Sequence, residues 1–149
     1  MLAESRLANQ DDIKLLFQEI ITLSRLQSPA IVQLVGVCFD PLCMLTEYVA
    51  NGSLFSVLRD ARVRLAWEPA TGSDEHSLTA MAADVARGVA SIHALETCHR
   101  DLKSGNVLVT DTFRLKICDV GIARRMPKQR ARRVSTKLRV TRYFAAPEL

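Results

Sequence analysis

The residues best suited to chemistry stand together between positions 99 and 106, where the sequence reads HRDLKSGN. A carboxylate, an amine and an amide, from Asp101, Lys103 and Asn106, could accept a proton, neutralise an anion or bind a metal ion. Burying such groups is costly unless they are paired with each other or with a ligand. An apolar run over 107–109 follows directly, so the polar stretch is predicted to lie at the start of a strand.

Apolar spacing and turn residues predict the elements that position this stretch. The order is helix, hairpin, helix, hairpin and an irregular basic tail, which indicates an α+β arrangement without internal repeats. The predicted elements are a helix over 11–27, strands over 31–38 and 42–49, a short helix over 53–60, a loop over 61–76, a long helix over 77–96, and strands over 107–110 and 115–118.

Both long helices carry apolar residues at helical spacing, and we expect these to form their buried faces. In the first helix they are Ile13, Leu16, Phe17, Ile20, Leu23 and Leu26. In the second they are Leu78, Met81, Ala82, Val85, Val89, Ile92 and Leu95.

The composition is that of a folded domain or part of one: 149 residues, 48% of them hydrophobic and 24% charged. No apolar run reaches the roughly 18 residues that a membrane helix needs. The first twelve residues also lack the apolar core of a signal peptide. We therefore expect a cytoplasmic protein without a membrane segment.

The four cysteines, Cys38, Cys43, Cys98 and Cys118, show no C-x-x-C spacing, so a zinc site is not predicted. We expect them to be small buried residues. Cys38 and Cys43 are close in sequence, but a reducing cytosol makes them poor candidates for a disulfide.

The positive charge of the chain is concentrated near its end. Nine of the 20 basic residues lie between positions 122 and 142, a window without any acid. Such a stretch could bind nucleic acid, but a solvated loop is the simpler interpretation, and no nucleic-acid partner is expected.

Three motifs occur in a fixed order, and together they resemble the protein kinase family over nearly the whole chain. H-R-D-L-x-x-x-N covers residues 99–106, Asp-Val-Gly covers 119–121, and Ala-Pro-Glu covers 146–148. The resemblance implies a partial bilobal kinase fold over 1–149. Residues 1–50 would form an N-lobe remnant and hinge, and residues 51–149 the first part of the C-lobe.

By this resemblance the chain transfers the γ-phosphate of ATP to a hydroxyl of a protein substrate. Asp101 would accept or orient the proton of the attacking hydroxyl, and Lys103 would neutralise charge on the transferred phosphate. Asn106 and Asp119 would hold the Mg²⁺ ions that bridge the ATP phosphates.

Further positions match the family's nucleotide pocket. Glu19 lies in the first predicted helix, and by the resemblance its side chain would pair with an ATP-binding lysine. Thr46 would be the gatekeeper, the Glu47 carbonyl and Val49 amide would bond to adenine, and Leu108 would floor the pocket. A stacked column that runs through active kinases would contain Leu23, Leu34, His99 and Val120, which gives His99 a structural role.

The stretch DLKSGN resembles serine/threonine kinases, whereas VQLVGVCFDP and LTEYVANGSL resemble the tyrosine-kinase-like group, most of whose members phosphorylate serine and threonine. Residues 119–148 match the activation segment. Ser135 follows Arg-Arg-Val, a site that an upstream basophilic kinase would favour, and Thr136 is adjacent. A phosphate there would pair with Arg100, whereas Thr141 would support the catalytic loop.

The glycine-rich loop and the lysine-bearing strand are not found ahead of Glu19, and the sequence stops at the Ala-Pro-Glu motif. We therefore expect a truncated domain that lacks the first N-lobe strands and the later C-lobe helices, and that is unstable and inactive alone. The alternative is a catalytically dead kinase-like fragment that acts as a scaffold or binding module.

Overall fold

The computed structural model describes residues 10–60, 78–120, 124–125, 141 and 144. Three helices and three two-stranded antiparallel sheets make up this part of the chain, as an α+β fold requires. The helices are α1 (Gln10–Arg25), α2 (Leu54–Arg59) and α3 (Leu78–Ala94). The strands are β1 (Leu34–Phe39), β2 (Leu42–Thr46), β3 (Thr97–Cys98), β4 (Val107–Val109), β5 (Leu115–Ile117) and β6 (Arg124–Arg125).

The predicted helices and hairpins are present, with ends that differ by up to three residues. The Ser53 hydroxyl caps α2 by accepting a hydrogen bond from the Ser56 amide. The pairing of β3 with β6 was not predicted, because strands of two residues leave no periodic signal. The predicted loop over 61–76 lies outside the described residues.

The first hairpin, β1–β2, carries a bulge near its open end. Leu34 pairs with Thr46 but Gly36 pairs with Leu45, so Val35 is the extra residue on β1. Nearer the turn the register is regular, and Phe39 faces Leu42. Residues 47–49 follow directly after the end of β2.

A narrow layer of four segments supports the polar stretch. β4 pairs with β5, the segment at Ile31 runs parallel to β5, and Ser53 bridges to Leu108 on β4. The Ile117 amide donates to the Ala30 carbonyl (2.8 Å), and the Asn51 amide donates to the Val109 carbonyl (3.0 Å). These bonds fix the chain on both sides of the β4–β5 hairpin.

Two apolar clusters lie on either side of this layer, and half-buried Val85 of α3 packs against both. The first buries Leu23, Leu26, Ile31, Ile92, Ile117 and Val120, with Leu34 packed against it. The second buries Val57, Met81, Val107, Val109 and Leu115. Three members of the expected column, Leu23, Leu34 and Val120, thus belong to one cluster.

The predicted apolar faces are only partly correct. In α1 and the turn that follows, Leu23 and Leu26 are buried, but Phe17 is 41% exposed. In α3, Leu78 is 73% exposed and Ala82 is also exposed. The residues that α3 buries are Met81, Asp84, Gly88 and Ile92, which share one face at helical spacing.

Gly88 sits on that face because α3 packs too closely for any side chain. A Cβ there would lie 2.7 Å from Ile117 Cδ1 and 2.9 Å from the Ala30 carbonyl oxygen. The contact is with backbone as well as with a side chain, so rotamer changes alone cannot relieve it. The glycine thus permits α3 to approach β5.

We expect Gly88→Ala to destabilise the chain by about 1–3 kcal/mol, because the overpacking outweighs the helix propensity of alanine. Urea unfolding followed by circular dichroism measures this change. Gly36→Ala is the matched control, since a Cβ at Gly36 meets nothing within 4 Å. Equal stabilities of the two variants would contradict the close approach of α3.

Within residues 10–60 and 78–120, no helix combines the length and apolarity that crossing a membrane would require.

Candidate active site

The polar stretch forms a loop between β3 and β4, and a 3₁₀ turn over Ser104–Asn106 folds it back on itself. This turn brings Asn106 against Asp101. The Asn106 Nδ2 donates to the Asp101 carbonyl oxygen (2.9 Å) and to Asp101 Oδ2 (3.1 Å). Because the nitrogen faces Asp101, Oδ1 is the atom that Asn106 can offer to a metal ion.

Lys103 and Thr141 complete a closed network around the Asp101 carboxylate. Lys103 Nζ lies 2.6 Å from Asp101 Oδ2 and donates to Thr141 Oγ1 (2.8 Å). The Thr141 hydroxyl in turn donates to Asp101 Oδ1 (2.7 Å). Both carboxylate oxygens are therefore held in fixed directions, and one hydroxyl and one ammonium group lie beside them.

The protonation state of Asp101 follows from these contacts. Burial favours the neutral acid, but the hydrogen bonds from Lys103 and Thr141, the Lys103 charge and the Asn106 amide outweigh it and lower the pKa of Asp101. Asp101 is thus a carboxylate at neutral pH. It can accept a hydrogen bond from an incoming hydroxyl.

Buried His99 joins this loop to the segment after β5. Its Nδ1 accepts a hydrogen bond from the Asp101 amide (3.3 Å), so Nε2 carries the proton and donates to the Cys118 carbonyl (3.1 Å). The Cys118 amide donates to the Asn106 carbonyl (3.0 Å). Asp119 follows Cys118 directly, so Asp101, Asn106 and Asp119 lie in one region. Both ring nitrogens of His99 are hydrogen-bonded to the backbone of this region.

The backbone is unusual on both sides of this region. Arg100 has a φ of 73° and Asp119 a φ of 59°, in the left-handed region that side chains rarely adopt. Such conformations cost of order 1–3 kcal/mol each and cluster at functional sites. Here one of them directly precedes Asp101, and the other is Asp119 itself.

Glu19 of α1 faces Asp119. Burial, and then the Asp119 charge, raise the pKa of Glu19 to about 7, although a hydrogen bond from the Val120 backbone opposes the shift. Among the described residues, no lysine or arginine pairs with Glu19. The structure therefore places Glu19 beside Asp119, where a cation would relieve the repulsion between two carboxyl groups.

The same cause affects Cys118. Burial, with the charges of Asp119 and Glu19, raises the pKa of the Cys118 thiol to about 11. Cys118 therefore stays protonated and unreactive at neutral pH.

Asn106 and Asp119 present an oxygen-ligand set that fits Mg²⁺. Within 10–60 and 78–120, no cluster of three or more His, Cys, Asp and Glu side chains could hold a metal ion. Mg²⁺ usually takes only one or two carboxylates from a protein and completes its shell with phosphate oxygens and water. One carboxylate, from Asp119, and one amide oxygen, from Asn106, match that requirement.

Residues 47–49, which follow β2, are the stretch that the family resemblance assigned to adenine binding. Val49 is buried, and its amide and the Glu47 carbonyl have no hydrogen-bond partner among the described residues. Thr46 ends β2 opposite Leu34, and Leu108 lies half-buried on β4. Within the part of the chain that the structure describes, these two backbone groups, to which the resemblance gave adenine, are thus without a partner.

The side chain of Glu47 has a contact that the sequence did not reveal. Lys116 Nζ of β5 lies 2.7 Å and 2.9 Å from its two carboxylate oxygens, and the Gln33 amide donates to Oε1 (2.8 Å). The pair spans 69 positions along the chain. It ties residues 47–49 to the strand that leads to Asp119.

The predicted regulatory residues are placed only in part. Arg100 is half-buried beside Asp101, and Thr141 belongs to the Asp101 network. Ser135 and Thr136 lie outside the described residues, as does most of the basic segment.

Comparison with known proteins identifies the class that these features define. The family model described as "Protein tyrosine and serine/threonine kinase" matches residues 2–149. The chain belongs to this protein kinase family.

Relatives include kinases of different specificity. The probable serine/threonine-protein kinase drkC of Dictyostelium discoideum is 32% identical over 99% of this chain and 20% of its own length. The human epithelial discoidin domain-containing receptor 1 is 36% identical over 73% of this chain and 13% of its own length. The dual specificity protein kinase pyk3 of D. discoideum is 32% identical over 71% of this chain and 7% of its own length. The chain thus spans a fifth or less of the length of these relatives.

Proposed function

We propose that this chain is the catalytic part of a serine/threonine protein kinase, which transfers the γ-phosphate of ATP to serine or threonine hydroxyls of a protein substrate. The observation that carries the proposal is the closed network of Asp101, Lys103 and Thr141. This network places the Asp101 carboxylate, which can accept a hydrogen bond, beside the Lys103 ammonium group. Phosphoryl transfer requires both kinds of group close to the transferred phosphate.

Each member of the network has a separate task. Asp101 accepts a hydrogen bond from the substrate hydroxyl and orients its oxygen toward the phosphorus atom. Lys103 neutralises charge that develops on the transferred group. Thr141 bonds to both and keeps them at a fixed separation while the substrate enters.

Asn106 and Asp119 would hold Mg²⁺, which would neutralise the charge of the ATP phosphates. The Glu47 carbonyl and Val49 amide receive the adenine edge, Leu108 lies against the ring, and Thr46 limits the depth of the pocket. The Glu47–Lys116 pair supports this edge from behind.

Serine/threonine specificity rests on Lys103 in its DLKSGN setting and on the names of relatives such as drkC. The relative pyk3 is named a dual specificity protein kinase, so the choice of Ser and Thr over Tyr is a separate point for the assay. ATP is a cytoplasmic substrate, so we place the reaction in the cytoplasm.

Regulation by phosphorylation of Ser135 or Thr136 is part of the proposal. The half-buried Arg100 adjoins Asp101 and could bind the phosphate through paired hydrogen bonds. An upstream basophilic kinase would recognise the arginines that precede Ser135.

One observation favours a second candidate, a kinase-like scaffold without activity. The carboxyl of Glu19 faces Asp119 and the Val120 backbone, and no ammonium group pairs with it among the described residues. For the same reason we propose that the 149-residue chain alone transfers no phosphate.

A transfer assay separates these candidates. The chain is tested alone and as a completed domain, in which both its ends are joined to the flanking kinase segments of drkC. Radiolabelled ATP, Mg²⁺ and peptides that differ only in a central Ser, Thr or Tyr are supplied. We expect the completed domain to prefer Ser and Thr over Tyr by about tenfold or more. A preference for Tyr would contradict the specificity, and a completed domain that binds ATP without transfer would favour the scaffold.

A further inference from the structure

The β1–β2 hairpin places two cysteines directly opposite each other. Cys38 on β1 pairs with Cys43 on β2, one step from the turn at which Phe39 faces Leu42. Both thiols are free and half-buried, which differs from the buried state expected from the sequence. The Cys38 thiol donates to the Asp40 carbonyl (3.3 Å), so its sulfur lies at the turn end of the hairpin.

This register satisfies the geometric requirement for a disulfide. Directly opposite residues of an antiparallel pair point to the same face, and their Cα atoms lie about 4.5 Å or about 5.5 Å apart, depending on the hydrogen-bonding pattern. Disulfides form at Cα separations of about 4.4–6.8 Å. Either pattern therefore allows the bond without a change of register.

We propose that Cys38 and Cys43 form a redox-active dithiol, which a low-molecular-weight disulfide such as oxidised glutathione converts to a cross-strand disulfide. One thiol, after losing its proton, attacks the oxidant, forms a mixed disulfide and releases one reduced glutathione. The other thiol, likewise deprotonated, attacks the protein sulfur and releases the second. Two electrons and two protons pass from the protein to the oxidant, which leaves as two thiols.

The two other cysteines lack this arrangement. Cys98 faces Arg124 in the β3–β6 register, and Cys118 lies beside two carboxyl groups in the site. A disulfide between these half-buried residues would be accessible to other thiols, and accessible disulfides belong to the exchangeable class. The pair can thus be reduced in the cytosol at rest and still respond to oxidation.

The bond would act on the end of β2 that leads to Thr46 and residues 47–49. It would hold β1 and β2 in register near the turn and limit opening of the hairpin. Disulfide formation itself depends only on the register and the access of the thiols, and not on kinase activity.

Peptide mapping of the 149-residue chain tests the proposal. The chain, whose helices are first confirmed by circular dichroism, is equilibrated with mixtures of reduced and oxidised glutathione, alkylated and digested with trypsin. Cys38 and Cys43 fall in one tryptic peptide, residues 26–59, whereas Cys98 and Cys118 fall in two others. We expect the 26–59 peptide to lose about two mass units, for two hydrogens, and to escape alkylation. The other two peptides should be alkylated.

Two further measurements make the outcome specific. Phenylarsine oxide, which bridges two neighbouring thiols, should bind the reduced chain at one equivalent, and Cys43→Ser should abolish this binding while Cys98→Ser keeps it. In the Cys43→Ser variant, the reaction with oxidised glutathione should also end at the mixed disulfide between glutathione and Cys38. Full alkylation of the 26–59 peptide under oxidising mixtures, or a disulfide to Cys98 or Cys118, would overturn the proposal.

Discussion

Replacing Asp101 by asparagine should lower the turnover of the completed domain by about 10²–10⁴-fold and leave its affinity for ATP nearly unchanged. Asparagine keeps the shape of the side chain but cannot accept a proton. It also loses the charge that draws Lys103 Nζ to 2.6 Å. Because Asp101 would touch the substrate hydroxyl and not the nucleotide, the loss should fall on kcat and not on KM for ATP.

Two variants serve as controls in the same steady-state assay. Asp119→Asn should instead raise KM for Mg²⁺-ATP, because it removes a proposed metal ligand. Asp111→Asn should change neither constant, since Asp111 is an exposed residue of the β4–β5 turn. Unchanged turnover in Asp101→Asn would show that Asp101 does not have the assigned role.

The local parts of this site could be predicted from the sequence because they are contiguous. Asp101, Lys103 and Asn106 lie on one loop, so a single 3₁₀ turn is enough to bring them together. The helices and hairpins around them have strong periodicity or turn residues, and their ends were placed within a few residues. Distances along the chain are short in each case.

The long-range contacts had no such signal. Thr141 reaches Asp101 across 40 positions, and only the family resemblance suggested its role. Lys116 and Glu47 are separated by 69 positions, and each alone reads as an ordinary surface charge. The cysteine register was also hidden, because hairpin pairing depends on where the turn and the bulge fall.

The α3 face shows a different kind of failure, because apolar spacing identified only part of it. Met81 and Ile92 are buried as expected, but Ala82, which the spacing also placed inside, is exposed. Asp84, which the spacing left out, is buried. A carboxylate can occupy a buried position when cationic side chains and a backbone amide donate hydrogen bonds to it. Hydropathy alone cannot predict those partners.

Asp84 is therefore the residue whose replacement should affect stability most. Its side chain accepts hydrogen bonds from Arg114 Nε (2.7 Å), a second Arg114 nitrogen (2.5 Å), Arg87 (2.6 Å) and the Leu115 amide (3.1 Å). Asp84 is only 3% exposed, so its carboxylate depends on these contacts, which link α3 to the start of β5. Burial opposes its ionisation, but Arg114, the Leu115 amide and Arg87 outweigh burial and lower the pKa of Asp84.

Asp84→Ala should reduce the free energy of unfolding at pH 7 by about 2–4 kcal/mol, because it leaves the Leu115 amide without an acceptor and removes the buried carboxylate that Arg114 and Arg87 bind. Since the pKa is lower in the folded state, the contribution is complete above the unfolded value of about 3.9. It is lost as the pH falls through the folded pKa. Urea unfolding of the completed domain between pH 7 and pH 3 measures both effects. The difference in the free energy of unfolding between the parent and Asp84→Ala should narrow toward pH 3.

Arg87→Ala is the control, with a loss of about 0.5 kcal/mol in the free energy of unfolding, because that side chain is largely exposed. An Asp84→Ala variant as stable as Arg87→Ala, or a difference independent of pH, would contradict this account.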